Sequence, residues 1–429
     1  MNRHIVATLA LAACVSAQCP AQPGLQVICA YNLPSTDLTT LGGGAFSATD
    51  LDQAKANGLR FTDLPSIGSG LACVGENEFV GISDRGPNGV VGSGKDEIRT
   101  FSLPKFCPFI TRFKLADGKI QILKTIRLSD RHGKPLTGLS NGKGEGRLFA
   151  SADEKSPLPF DPNGVDPEAI RVFPDGRFLM SEEYGPSVFV VNTNGEVLVR
   201  YTPETKPLAG AAYPVKPILP PVLAQRRDNR GFEALALSPD GKTAMVMLQS
   251  PAGEEDDKRF KAARVSRAIR LDLSDPLNAK VTGHFLMPLS APREYGPEQK
   301  KASPKLNDAE WLAPNKLLVL EQGKESARLI VADFSQATDL RGRADENTLA
   351  FELAGEDLAT LPVRPASTLV WASTVGSGIQ STKLEGLAII SPTEIAVAND
   401  NDFGIGENSA GESSVVWKVR LSRPLPLAR

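Results

Sequence analysis

The chain has 429 residues, 41% hydrophobic and 23% charged, enough to bury a large core as one big domain or two ordinary ones. Its 48 basic and 50 acidic side chains leave a formal net charge of -2, which excludes general attraction to nucleic acid. The 38 glycines and 33 prolines imply many turns.

Asn2-Arg3-His4 is a short basic segment, and Ile5 to Ala13 is an apolar stretch too short to span a bilayer in a mature protein. Val15-Ser16-Ala17 fits a small-residue cleavage site, so residues 1–17 read as a signal peptide. Leu11-Ala12-Ala13-Cys14 also fits a bacterial lipoprotein box, which would lipidate Cys14. Either route exports the protein, to the periplasm or beyond, and no other apolar run is long enough to cross a membrane. Losing Cys14 leaves Cys19, Cys29, Cys73 and Cys107, enough for two bridges in an oxidising compartment. Proximity pairs Cys19 with Cys29 and Cys73 with Cys107; buried free thiols are the alternative.

Residues 18–62 form an N-terminal segment with a strand around Leu25–Leu33 and one short helix at Asp50–Asn57. From residue 63 onward the pattern is apolar strand, turn, apolar strand. Such hairpins run at 68–88, 166–186, 231–251, 307–323 and 383–402. Their turns are Gly75-Glu76-Asn77, Pro174-Asp175-Gly176, Pro239-Asp240-Gly241, Pro314-Asn315-Lys316 and Ser391-Pro392-Thr393. Companion hairpins start at Phe109, turning on Asp117-Gly118, and at Ser187, turning on an Asn-Gly pair.

A hairpin returns the chain to the edge where it started, so acids at its two ends are neighbours. Glu168 opens one hairpin that Glu182 and Glu183 close; Glu310 opens one that Glu321 closes. Glu385 opens the last, closed by Asp400 and Asp402, and Glu233 opens one that closes on Gln249. The first opens on Ser69-Gly70 and closes on Asp84-Arg85. The opening acids fall 65, 77 and 75 residues apart. A four-stranded blade needs about 40–50 residues, so the surplus is loop. The expectation is an all-β fold, a β-propeller over residues 63–429. Six blades are favoured with five as the alternative, because the N-terminal strand either completes a sixth blade or closes the fifth. If the acidic edges face the axis, like charges converge and call for a hard divalent cation with oxygen ligands, Ca²⁺ above all. The alternative is that the acids are solvated loop ends.

The motifs SDRGPN (83–88), DPEAI (166–170), SEEYGP (181–186), NRGFEALALSPDG (229–241), NDAEW (307–311) and LEGLAI…NDNDFG ending at Gly404 resemble the phytase-like family, over roughly residues 64–421. The resemblance implies a propeller, export, and Ca²⁺-dependent hydrolysis of phosphate esters. Its likeness to β-propeller phytases and Ca²⁺-dependent alkaline phosphatases is more distant. Ala234 and Ala309 stand where glycine is expected, and Gln249 replaces an acid, which leaves the number of metals open.

A Ca²⁺ phosphoesterase needs carboxylates for the metal, which Glu168, Glu182, Glu183, Glu233, Glu310, Glu321, Glu385, Asp400 and Asp402 could supply. It needs cations for the phosphate, here Arg85 and Arg230, whose guanidinium forks match phosphate oxygens. Its nucleophile is most simply a metal-activated water. Asp84 is then a ligand or base, and Tyr184 a substrate contact. The G-x-S-x-G run at 138–142 lies in a Gly/Lys-rich loop without the strand and helix a serine hydrolase requires. His132 and His284, with His4 in the signal, cannot build a three-histidine zinc site. The expected partner is a small phosphate ester. Two further readings remain open: a binding propeller stiffened by Ca²⁺, and a Ca²⁺-dependent carboxylic esterase or lactonase.

Overall fold

The computed structural model describes residues 24–41, 45–92, 97–142, 146–206, 208–254, 257–300, 302–354, 357–381, 383–406 and 410–428. Cys14, Cys19 and the signal segment lie outside these residues. No helix of the described residues is long and apolar enough to cross a membrane.

The chain opens with strand β1 (Leu25–Asn32) and helices α1 (Leu38–Leu41) and α2 (Ala48–Ala56). Helix α2, expected at Asp50–Asn57, starts where the Ser47 and Asp50 side chains and backbone amides cap each other. The first blade is β2 (Gly70–Gly75) and β3 (Glu78–Ile82), then, after an inserted pair β4 (Asn88–Val91) and β5 (Ile98–Phe101), β6 (Phe109–Ala116) and β7 (Lys119–Arg127). Strand β8 (Arg147–Phe149) pairs with β5 to complete a small separate sheet. The second blade is β9 (Pro167–Val172), β10 (Phe178–Glu182), β11 (Ser187–Val191) and β12 (Val197–Pro203), with β13 (Val215–Leu219) added in parallel. The third holds β14 (Phe232–Leu237), β15 (Thr243–Leu248), β16 (Val265–Asp272) and β17 (Lys280–Pro288). The fourth holds β18 (Lys305–Ala313), β19 (Lys316–Gln322), β20 (Ala327–Asp333) and β21 (Ser367–Ser373). The fifth holds β22 (Leu384–Ser391), β23 (Glu394–Asn399), β24 (Val415–Leu421) and, from the other end of the chain, β1.

The innermost strands β2, β9, β14, β18 and β22 each pack against the next, and β22 packs against β2. The ring therefore closes on five blades among the described residues, not the favoured six. Strand β1 pairs with β24 from Leu25↔Leu421 to Asn32↔Val415, so it is the outer strand of the fifth blade and founds no other. Alternating Val, Ile, Leu, Phe and Ala side chains fill the gaps between blades; Leu235 and Val246, for example, pack with Val188 and Val199 of the preceding blade. The expected turn residues Asn77, Asp117 and Asn315 take left-handed φ values of 56°, 51° and 61°.

Cys29, Cys73 and Cys107 are free thiols, so the Cys73–Cys107 bridge is not formed. Strand β3 lies between them: Cys73 faces Phe79, and Phe79 faces Phe113, six residues beyond Cys107. That offset is on the order of 20 Å along a strand, far outside disulfide reach. The Cys107 thiol is instead buried and donates to the Leu128 carbonyl at 3.2 Å.

Candidate functional site

Four inner strands share one local device. The ladder slips by one residue at Glu168 in β9, Glu233 in β14, Asn307 in β18 and Glu385 in β22. A bulge of this kind re-aims a side chain that the pleat would otherwise direct elsewhere. At these positions it gathers side chains from different blades: carboxylate oxygens of Glu168, Glu233 and Glu385 lie within 4.8 Å of one another. All three are buried. A second group, Asp166, Glu168 and Glu183, meets the same criterion. Gly231 is required beside it, because a Cβ there would sit 2.1 Å from the Glu183 carbonyl oxygen.

Two cations hold parts of this acidic centre. One Arg85 Nη lies 2.8 Å from Asp166 and 2.9 Å from Glu183, and the Arg85 backbone N–H donates to Asp166 at 3.1 Å. Lys383 donates to Asp400 and Asp402 and lies 3.6 Å from Glu385. Asp400 also accepts the Ser66 hydroxyl at 2.5 Å and the Asp402 N–H at 3.0 Å. Asp84 is buried near Asp400, with one oxygen accepting the Gly86 N–H at 2.9 Å. By contrast, both Glu233 oxygens are buried without a hydrogen-bond partner, as are Asn307 Oδ1, Gln249 Oε1 and the Ser69 hydroxyl.

The charges respond accordingly. Burial, then the neighbouring acids, pushes the Glu168 carboxyl well above the usual carboxylate range. Glu385 moves up as well, through burial partly offset by Lys383. Burial raises Glu233 to about 8, against the pull of Lys305, and raises Asp84 to about 8 with help from Asp400. At Asp400, Lys383 outweighs burial and holds the carboxyl down at about 2. The Lys305 ammonium is held below its ordinary range by the Arg230 guanidinium and by burial.

A cavity of about 570 Å³ opens above the centre. Arg227, Arg230, Lys261, Lys305, Lys324 and Lys383 line it, against the acids Glu385 and Asp402. Arg230 and Lys305 make no ion pair among the described residues. Below the centre the channel is closed by a buried pair, Arg171 and Asp308, at 2.6 Å. Arg171 also donates to the carbonyls of Leu71 and Ala309, and Asp308 accepts the Leu387 N–H, so one ion pair ties four inner strands together.

The other expected site residues are placed elsewhere. Glu182 points into its own blade, 2.6 Å from Arg200 with neither side chain exposed, and accepts the Ser187 hydroxyl at 2.9 Å. Glu321 accepts the Tyr295 hydroxyl at 2.5 Å and the Ser290 N–H at 3.0 Å. Glu310 lies beyond the Arg171–Asp308 pair, beside Trp311 and Pro314 in a pocket at the opposite end of the channel. Tyr184 is buried, its hydroxyl on the Gly138 carbonyl and its ring 5.2 Å beneath the Arg85 guanidinium. The G-x-S-x-G loop is a brace: Asn141 donates to the carbonyls of Asp161 and Gly164, and Ser140 is fully buried.

Sequence reasoning missed Asn307, Asp166, Lys305 and Lys383. For Asn307 a signal existed. It stands seven residues before Pro314, as Glu385 stands before Pro392, whereas Glu310 stands only four before. Lys305 and Lys383 each precede a bulge residue by two, a spacing visible only once Asn307 is recognised.

The donors left over are all oxygen, from carboxylates and amides, and several have no protein partner. That set fits a hard divalent cation and not a thiophilic one. A relative from Arthroderma benhamiae, an uncharacterized secreted protein, is 23% identical over 270 residues, or 53% of this chain and 52% of the relative. The chain thus spans about half the length of that relative. Among solved structures, the calcium-binding protein regucalcin of Agrobacterium tumefaciens aligns over 85% of this chain and 95% of its own, with 11% identity and a TM-score of 0.37. A luciferin-regenerating enzyme aligns over 85% and 96%, with 9% identity and a TM-score of 0.35. Likenesses this slight say nothing about chemistry. A family model described as "Phytase-like: Esterase-like activity of phytase" matches residues 66–403, which takes in every bulge residue, both cation-filled corners and the cavity wall, and the chain belongs to that family.

Proposed function

We propose that the protein is an exported, Ca²⁺-dependent phosphoesterase. The observation that carries this reading is the juxtaposition of opposite needs. Three buried glutamates from three blades meet where Glu233 has no partner, directly beneath a cavity walled by six cations. A buried carboxylate cluster in which both Glu233 oxygens lack a hydrogen-bond partner calls for a cation. A cavity rich in Lys and Arg calls for an anion, and a phosphate ester bridging the two satisfies both. The secreted character of the Arthroderma relative and the segment at residues 1–17 support export.

Glu168, Glu233 and Glu385 would hold the ion, with Asn307 and Gln249 offering amide oxygens. A Ca²⁺ ion there supplies charge neutralisation for the phosphoryl group and a water of lowered pKa. Arg230 and Lys305 bind the phosphate oxygens, and their mutual repulsion is relieved when an anion lies between them. Arg85, fixed by Asp166 and Glu183, keeps those two acids from competing for the ion. Asp84 has one oxygen held by the Gly86 N–H, and once deprotonated, above about pH 8, its other oxygen would take a proton from the attacking water.

The test is hydrolysis of p-nitrophenyl phosphate, bis-p-nitrophenyl phosphate, phytate and p-nitrophenyl acetate by the mature protein, after EDTA and again with added Ca²⁺. Ca²⁺-restored release from a phosphate substrate is expected. Cleavage of the acetate alone would replace the reading with a carboxylic esterase. Silence on all four, with a Ca²⁺-dependent rise in Tm, would leave a binding propeller.

A further inference from the structure

The small sheet β4–β5–β8 belongs to no blade, yet it sends one arginine to the turn that carries Arg230. Arg99 lies on β5, the middle strand of that sheet, and is only 4% exposed. Its guanidinium donates to the Asp228 carboxylate and, at 3.4 Å, to Asn229 Oδ1. Arg85, at the closing end of the first hairpin, donates to the same Asn229 oxygen. Arg226 lies 3.6 Å from Asp228 and donates to the Tyr184 carbonyl at 2.8 Å. Asn229 takes a left-handed φ of 53°, a conformation its side chain tolerates better than most, and its carbonyl accepts the Arg230 guanidinium. On the other side of Arg230, Gly231 is pressed against Glu183. The backbone on both sides of Arg230 is thus fixed, and its side chain folds back over it on the cavity wall.

We propose that Arg99 is a positioning residue: from the inserted sheet it holds the Asp228–Asn229 turn so that Arg230 stays beside Lys305, aimed at the anion in the cavity. The proposal rests on the phosphate-binding role given to Arg230 above and deepens it. Arg230 and Lys305 repel each other across the wall. An arginine free to choose its rotamer would swing away from Lys305 into solvent. Holding the turn in one conformation opposes that swing before any anion arrives, which lowers the ordering cost of binding. The guanidinium suits this task because its fork reaches two acceptors at once, here a carboxylate and an amide oxygen on successive residues. A lysine at 99 keeps the charge and loses the fork.

The test pairs two readouts on full-length mature protein in saturating Ca²⁺: kinetics on p-nitrophenyl phosphate, and calorimetric binding of inorganic phosphate. R99M is expected to raise both KM and the phosphate Kd on the order of 10-fold, with a smaller change in kcat. R99K is expected to fall between R99M and the wild type. N229G keeps the left-handed φ without the side-chain hold and is expected to weaken phosphate binding as R99M does. Because Arg99 acts through Arg230, R99M/R230A is expected to match R230A alone within about 2-fold. A purely structural Arg99 would lower Tm and leave the phosphate Kd unchanged, which would overturn the proposal. Losses that multiply in R99M/R230A would overturn it as well. A wild type that binds phosphate through Arg230 and hydrolyses nothing would overturn the phosphoesterase reading and leave the role of Arg99 to the binding data. A wild type that binds no phosphate would overturn both. If R99M fails to fold, N229G and R99K decide.

Discussion

At the scale of the residue, the balance of partnered and unpartnered oxygens governs behaviour. Glu233 is buried with neither oxygen satisfied, a state that costs on the order of 1–3 kcal/mol without a cation. E233Q is therefore expected to leave the metal-free protein as stable or more stable, and to shrink the Tm gain on adding Ca²⁺; differential scanning calorimetry checks both. Glu233 and Asp84 each titrate at about 8. A carboxyl raised above its unfolded value, about 4, binds its proton more tightly in the native state. The stability it lends is complete below about pH 4 and is lost as pH climbs toward about 8. In EDTA the Tm is expected to fall across that window, and saturating Ca²⁺ should flatten the fall. On the anion side, R230A and K305A each remove one charge-assisted contact, for an expected rise in KM of about 10- to 100-fold on a phosphate substrate with a smaller change in kcat. Much of this residue level was legible. Glu168, Glu233 and Glu385 stand out because they recur before a turn. Glu310 misled because an acid near the start of a hairpin looks alike in sequence on either side of the channel. The ladder register shows that Asn307, which has no charge to attract notice and only its spacing from Pro314 to mark it, holds the equivalent place.

At the scale of the element, hairpins were readable and their closure was not. Turn residues such as Asn77, Asp117 and Asn315 mark each reversal, and period-two alternation marks the strands on either side. What ties the strands across the axis is less visible, since it depends on residues far apart in sequence. Arg171 of β9 reaches Asp308 of β18 and the backbone of β2, and Asp308 in turn accepts the Leu387 N–H of β22. Removing one member of a buried pair strands the other. R171M is expected to cost about 3–5 kcal/mol in urea denaturation, and R171M/D308L to recover part of that loss. A fully additive double variant would mean that the pair does not couple the blades.

At the scale of the whole molecule, closure depends on the two ends of the chain meeting. Strand β1 lies along β24 for its full length and touches β7 through Asn32↔Lys119, joining the last blade to the first. Deleting residues through Asn32 would bare the edge of β24, and the expected result is a lower Tm with aggregation on heating. Light scattering during a thermal ramp reads both. Blade number is not legible in the sequence for a physical reason. The inserted β4–β5–β8 sheet and the segments between the outer strands lengthen the repeat well beyond one blade, so spacing alone does not count blades.

In the proposed function, three glutamates from three blades form a cation site that serves phosphate-ester hydrolysis. The most direct measurement is Ca²⁺-restored hydrolysis of p-nitrophenyl phosphate and its diester by EDTA-treated wild type beside E168Q/E233Q/E385Q. Activity that returns with Ca²⁺ in the wild type and stays lost in a folded triple variant is the predicted result. Hydrolysis indifferent to EDTA, or restored equally in both proteins, would contradict it.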